Sequence, residues 1–210
     1  MTPREVSTAG FRNRLGIAIA MRTYKAYRDL LASKRWQKLA ASGARPQHLP
    51  WASTGTKHDV ASRDIDIGEF RVCSALVCHP GPTVGYRISA PKGGVMTYLP
   101  DHEPALAALR FPSLPREWTS GATLAAGADF LIHDSQYSAA EYPGHCGWGH
   151  SSLKQTLDFG TLIEVKQLVP FHHDPSHSDT DLDRLMAEAI EQTKSGYQVT
   201  PGIEGTVFEL

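Results

Sequence analysis

A chain of 210 residues is the length of one medium domain, or of one domain with a short extra segment. Its 41% hydrophobic and 20% charged residues make a globular balance and exclude a disordered chain, and a formal net charge of -1 gives no electrostatic case for broad nucleic-acid or membrane binding. No run approaches the roughly 18 apolar residues of a membrane span, Met1 to Gly10 is polar without a signal-peptide core, and Cys73, Cys78 and Cys146 make no disulfide framework, so the expected setting is the reducing cytoplasm with no membrane partner.

In chain order, residues 13–42 read as an amphipathic helix, with Leu15, Ile19, Tyr24, Tyr27, Leu30, Leu31 and Leu39 on one stripe and Arg and Lys between them. Gly43 is a plausible cap for its C-terminus. Residues 47–53 suit a short strand, and the polar stretch Thr54 to Arg63 suits a linker. From residue 66 the pattern changes. Phe70 to Cys78 and Thr83 to Ser89 read as strands joined through Pro80-Gly81-Pro82, and Val95 to Leu99 follows Gly93-Gly94 as a third. Phe130 to His133 is a fourth strand, Ser151 to Ile163 a helix, Gln167 to Phe171 a strand and Asp179 to Thr193 a helix. Thr206 to Leu210 is expected to be a last strand. Strands alternating with helices predict an α/β architecture, divided into residues 1–60 and 61–210.

Nine of the ten histidines lie after residue 50, and with aspartates they recur at the ends of the predicted strands. The elements are Cys78-His79-Pro80-Gly81, Leu99-Pro100-Asp101-His102, Ile132-His133-Asp134-Ser135, Gly149-His150-Ser151-Ser152 and Phe171-His172-His173-Asp174. A neutral imidazole at a strand end is a common Zn²⁺ ligand. A carboxylate has two oxygens with which to bridge ions. An aspartate beside a histidine fixes the imidazole tautomer for proton transfer. Side chains that adjoin on a strand point to opposite faces, so His172 and His173 are not expected to serve one ion, and His173 is assigned to the pocket rim. His177 and Asp179 are read as a solvent-exposed loop with a helix cap at Ser178 or Asp179.

These motifs, over about residues 66–210, resemble the metallo-β-lactamase fold, in the branch of the tRNA 3′-processing endonuclease and the cyclic-phosphate phosphodiesterases. The resemblance implies half of an αββα sandwich preceded by an amphipathic helical segment. It implies one or two Zn²⁺ or Mn²⁺ ions held by His79, Asp101 and His172. Asp134 and His150 would assist protonation of the leaving oxygen of a nucleotide or other phosphodiester substrate. The HxHxDH motif that supplies the remaining ligands in that family is missing, and no HxH pair occurs anywhere in the chain. One apolar sheet face is therefore expected to need a cover, from the helix over residues 13–42, a second copy in a homodimer or another partner.

A second resemblance lies in residues 14–57, on Leu15-Gly16-Ile17-Ala18, Tyr24-Lys25-Ala26-Tyr27, Arg35-Trp36-Gln37-Lys38-Leu39 and, most sharply, Trp51-Ala52-Ser53-Thr54-Gly55-Thr56-Lys57. It is similar to part of transaldolase and implies that Ser53, Thr54 and Lys57 descend from phosphate-facing positions. About 44 residues cannot supply the Schiff-base lysine or close an eight-stranded barrel. The sequence therefore reads as a metal-dependent hydrolase, with a transaldolase-related fragment or a non-catalytic metal-binding module or fusion remnant as the alternatives.

Overall fold

The structure is a computed structural model that describes residues 64–81, 83–104, 116 and 119–208. The helix expected over 13–42, the strand over 47–53, the linker and with them Ser53, Thr54 and Lys57 lie outside these residues. Seven strands form one sheet in sequence order: β1 (Asp64–Ile67), β2 (Phe70–Val77), β3 (Thr83–Ser89), β4 (Val95–Leu99), β5 (Phe130–Asp134), β6 (Gln167–Phe171) and β7 (Gln198–Val199). Neighbours from β1 to β4 pair antiparallel through short turns, as at Gly93, where a φ of 97° suits glycine alone. From β4 to β7 the pairing is parallel, so each connection must cross back over the sheet. These crossovers hold α1 (Ala122–Ala125), then α2 (Tyr142–His145) with α3 (Leu153–Ile163), and α4 (Asp179–Thr193).

Within the described residues, the strands expected over 70–78, 83–89, 95–99, 130–133 and 167–171 and the helices expected over 151–163 and 179–193 are present, with ends displaced by a residue or two, while β1 and β7 were not expected. Ser152 and Ser178 cap α3 and α4, each in a reciprocal capping box. One expectation is corrected: residues 206–208 are not a strand. The outer edge of β6 is taken by β7 instead, with Gln198 N–H donating to Lys166 O and Thr200 N–H to Leu168 O. Among the described residues, no helix is long and apolar enough to cross a membrane.

Alternation along the strands divides the sheet into two faces. Val77, Leu99, Leu131 and Leu168 are buried on one, beneath Ala122 and Ala125 of α1 and Leu157, Phe159 and Ile163 of α3. Gly85 sits on this face because a Cβ there would overlap Leu99 and crowd Val77 and Leu124. On the other face, the segment after β7 covers one end, with the Phe208 ring 4.8 Å from Phe130. Ile65, Ile67, Phe70 and Tyr86, which the strand register places on that same face, are exposed. Among the described residues, one sheet carries helices on one side and exposed apolar side chains on the other, the arrangement of half of a two-sheet sandwich.

Candidate metal centre

Because β4, β5 and β6 run parallel, their C-terminal ends meet at one edge of the sheet. The register pairs Leu99 with His133 and Asp134 with Phe171. Asp101 just after β4, Asp134 at the end of β5 and His172 just after β6 therefore converge, as side chains do at the carboxyl ends of parallel strands. His150 joins them from the loop before α3. One ligand atom from each of Asp101, Asp134, His150 and His172 lies within 4.8 Å of the others. His172 adopts a φ of 59° directly after its strand, a left-handed turn out of the ladder.

Asp134 is the hub and is fully buried. Its Oδ2 accepts from His150 Nδ1 at 2.6 Å, from the His102 N–H at 3.2 Å and from His172 Nδ1 at 3.4 Å. Its Oδ1 accepts from the N–H groups of Gln136 at 3.1 Å and Ser151 at 3.2 Å. Burial pushes its pKa up, but the hydrogen bonds from His150 and His172 outweigh this and leave the carboxyl below its usual value. The same Asp134 hydrogen bond raises the pKa of His172, against the opposing effect of its burial.

The spacings show which contacts would give way to metal bonds once an ion is held, the hydrogen bond from His172 to Asp134 among them. Two ligands of one tetrahedral ion with bonds of about 2.1 Å stand about 3.4 Å apart. His172 Nδ1 is 3.4 Å from Asp134 Oδ2 and 3.6 Å from Asp101 Oδ1, which suits that edge. The 2.6 Å between His150 Nδ1 and Asp134 Oδ2 is too short for two ligands of one ion and is a charge-assisted hydrogen bond. Two carboxylates and an imidazole are a donor set suited to Zn²⁺ or Mn²⁺, so the residues present fit a divalent cation.

His79 stands beside this group, not within it. Its ring meets His150 edge-on, with centroids 5.3 Å apart, and its Nδ1 accepts from Gly81 N–H at 3.1 Å. Burial and the neighbouring His150 lower its pKa. Gly149 allows this contact: its φ is 95°, and a Cβ would overlap Pro80 and His79. His173 turns away from the four, with Nδ1 3.3 Å from Ser135 O. His177 is mostly buried and meets Glu141 at 2.8 Å, which corrects its expected exposure; Ser178 is the cap.

Sequence reasoning missed a supporting layer. The buried Glu103 carboxylate accepts from Tyr142 Oη at 2.6 Å, Gly147 N–H at 2.8 Å and Gly149 N–H at 2.9 Å, and so fixes the loop that carries His150. Under the sheet edge, His133 Nδ1 donates to Asp134 O at 2.6 Å, which leaves its Nε2 to accept from His102 Nδ1 at 2.9 Å. Burial holds both imidazoles neutral, with the pKa of His133 lowered to about 4 and that of His102 also lowered. The signal for His133 was its alternation with Leu131, which places it on the core face. For Glu103 the only signal was an acid next to Asp101-His102.

No family model matches the chain. Short stretches match transaldolases. That of Trichodesmium erythraeum is 34% identical over 73 residues, which is 35% of this chain and 19% of the relative. That of Acidothermus cellulolyticus is 47% identical over 47 residues, 22% of this chain and 13% of the relative. The chain thus spans less than a fifth of either. Among solved structures, the metallo-β-lactamase fold protein YhfI from Bacillus subtilis matches with a TM-score of 0.52 at 16% identity, over 70% of this chain and 52% of that one. The short form of human tRNase Z matches with a TM-score of 0.48 at 20% identity, over 69% and 45%. The fold is the metallo-β-lactamase fold, and this chain spans about half the length of the YhfI structure.

Proposed function

We propose that residues 61–210 form a metal-dependent hydrolase unit directed at phosphodiesters. The observation that carries this reading is the donor spacing of 3.4 Å and 3.6 Å around His172, beside a separate, short His150–Asp134 hydrogen bond. Asp101, Asp134 and His172 would hold Zn²⁺ or Mn²⁺, with His79 as the next imidazole along the edge. The cation, when bound, supplies Lewis-acid charge at the phosphoryl oxygens and lowers the pKa of water. Asp134 holds the Nδ1–H of His150, which leaves Nε2 free to take a proton from solvent water and then deliver it to the leaving oxygen. Asp101 and His172 are each partly open to solvent, which leaves one side of the centre accessible to a diester.

The test is elemental analysis of the purified protein and of His172→Ala, with hydrolysis of bis(p-nitrophenyl) phosphate measured on both after loading with Mn²⁺ or Zn²⁺. About one ion per chain, lost together with hydrolysis in the variant, supports the reading. Absence of metal and of hydrolysis in the unsubstituted protein refutes it. The missing HxHxDH motif favours a second reading, a metal-binding module without turnover, for which the same experiment gives metal uptake and no hydrolysis.

A further inference from the structure

Trp148 is 59% exposed, on the loop between α2 and α3 and two residues before His150. A large aromatic side chain usually gains stability by burial, so an outward-facing indole next to a candidate centre calls for a reason. The loop around it is not slack. The N–H groups on either side of Trp148, of Gly147 and Gly149, donate to the two oxygens of the buried Glu103 carboxylate. Both glycines have positive φ, 88° and 95°, a turn that other residues adopt only with strain. The backbone N–H of Trp148 donates to His145 O at 3.0 Å. The His145 ring meets the indole edge-on with centroids 4.9 Å apart, and is itself stacked at 4.3 Å on the buried Tyr137. The indole is thus braced by the His145–Tyr137 stack while most of its surface is exposed.

We propose that Trp148 is a stacking platform for the nucleobase of a nucleotide whose phosphate lies at the Asp101, Asp134, His150 and His172 centre. The proposal rests on reading that centre as phosphoester-directed and adds the substrate class. Residues two apart have Cα atoms at most about 7 Å from each other, a span that one nucleotide bridges between phosphate and base. An aromatic face accepts any base, so the platform selects for a base without reading its identity.

The test is calorimetric titration of the Mn²⁺-loaded full chain with adenosine 5′-monophosphate and with ribose 5-phosphate, for the unsubstituted protein, Trp148→Phe and Trp148→Ala. Loss of one stacking contact corresponds to a weakening of about 5-fold to 140-fold. The expected result is that the nucleotide binds more tightly than ribose 5-phosphate, that Trp148→Ala removes this difference and that Trp148→Phe keeps part of it. Urea midpoints of the variants control for folding. Equal affinity for the two ligands in the unsubstituted protein, or unchanged nucleotide affinity in Trp148→Ala, overturns the proposal. Hydrolysis of bis(p-nitrophenyl) phosphate separates the two readings. A Trp148-dependent preference without hydrolysis supports the platform and refutes the hydrolase; hydrolysis without that preference refutes the platform alone.

Discussion

Replacing Asp134 by Asn keeps the shape of the side chain and removes the charge on which five donors converge. The new amide N–H₂ must replace one of the two oxygens. It then faces either His150, His172 and the His102 N–H, or the N–H groups of Gln136 and Ser151. Each buried donor left without an acceptor costs about 1–3 kcal/mol, and removing one member of a buried charged pair costs about 3–5 kcal/mol. His150 and His172 reach solvent in part and can recover some hydration, so the loss expected for Asp134→Asn is about 3 kcal/mol. Asp101 contributes to the same centre from a partly exposed position, and Asp101→Asn should stay within about 0.5 kcal/mol of the unsubstituted protein. Urea unfolding after chelation measures both. A loss below about 1 kcal/mol for Asp134→Asn would refute the account of Asp134 as a saturated buried anion. In a second series with Zn²⁺, both variants should lose the stabilisation that ligand binding confers on the native state. If Asp101→Asn kept that stabilisation in full, Asp101 would not be a donor to the ion.

Three further outcomes are expected. The unfolded chain takes up protons at its histidines below about pH 6.5, whereas the folded protein keeps the buried His133 and His102 neutral until much lower pH. Their stabilising effect is therefore complete above pH 6.5 and lost as pH falls, by about 3 kcal/mol for His133 between pH 6.5 and 4; a urea midpoint that stays flat over that window contradicts this. Gly149→Ala places a Cβ against Pro80 and His79 at a φ of 95° and should lower stability by about 1–3 kcal/mol in thermal unfolding. An unchanged Tm would mean the loop relaxes at no cost. Ser152→Ala removes the side-chain half of the capping box of α3 and should cost about 1 kcal/mol in urea unfolding, whereas a loss below about 0.3 kcal/mol would show that the cap is dispensable.

The strands and helices that adjacent residues specify were legible without coordinates. Phe70 to Val77, Gln167 to Phe171 and Asp179 to Thr193 declare themselves through β-branched runs, period and caps, because those signals act over a few neighbouring residues. The chemistry of the centre was legible in kind: Asp101, Asp134, His150 and His172 all stood out at predicted element ends, and the structure brings the four together. Only the tertiary structure separated the short His150–Asp134 hydrogen bond from the wider spacings around His172, and set His79 to one side. The Glu103 clamp on Gly147 and Gly149 and the His102–His133 pair span 31 to 46 residues, beyond the reach of any local pattern. The same holds for the last strand, where Gln198 and Val199 rather than residues from Thr206 onward pair with β6. Sequence period decides which face of its own element a side chain occupies. Which side chains then meet depends on the parallel register of β4, β5 and β6, a relation between segments distant in the chain.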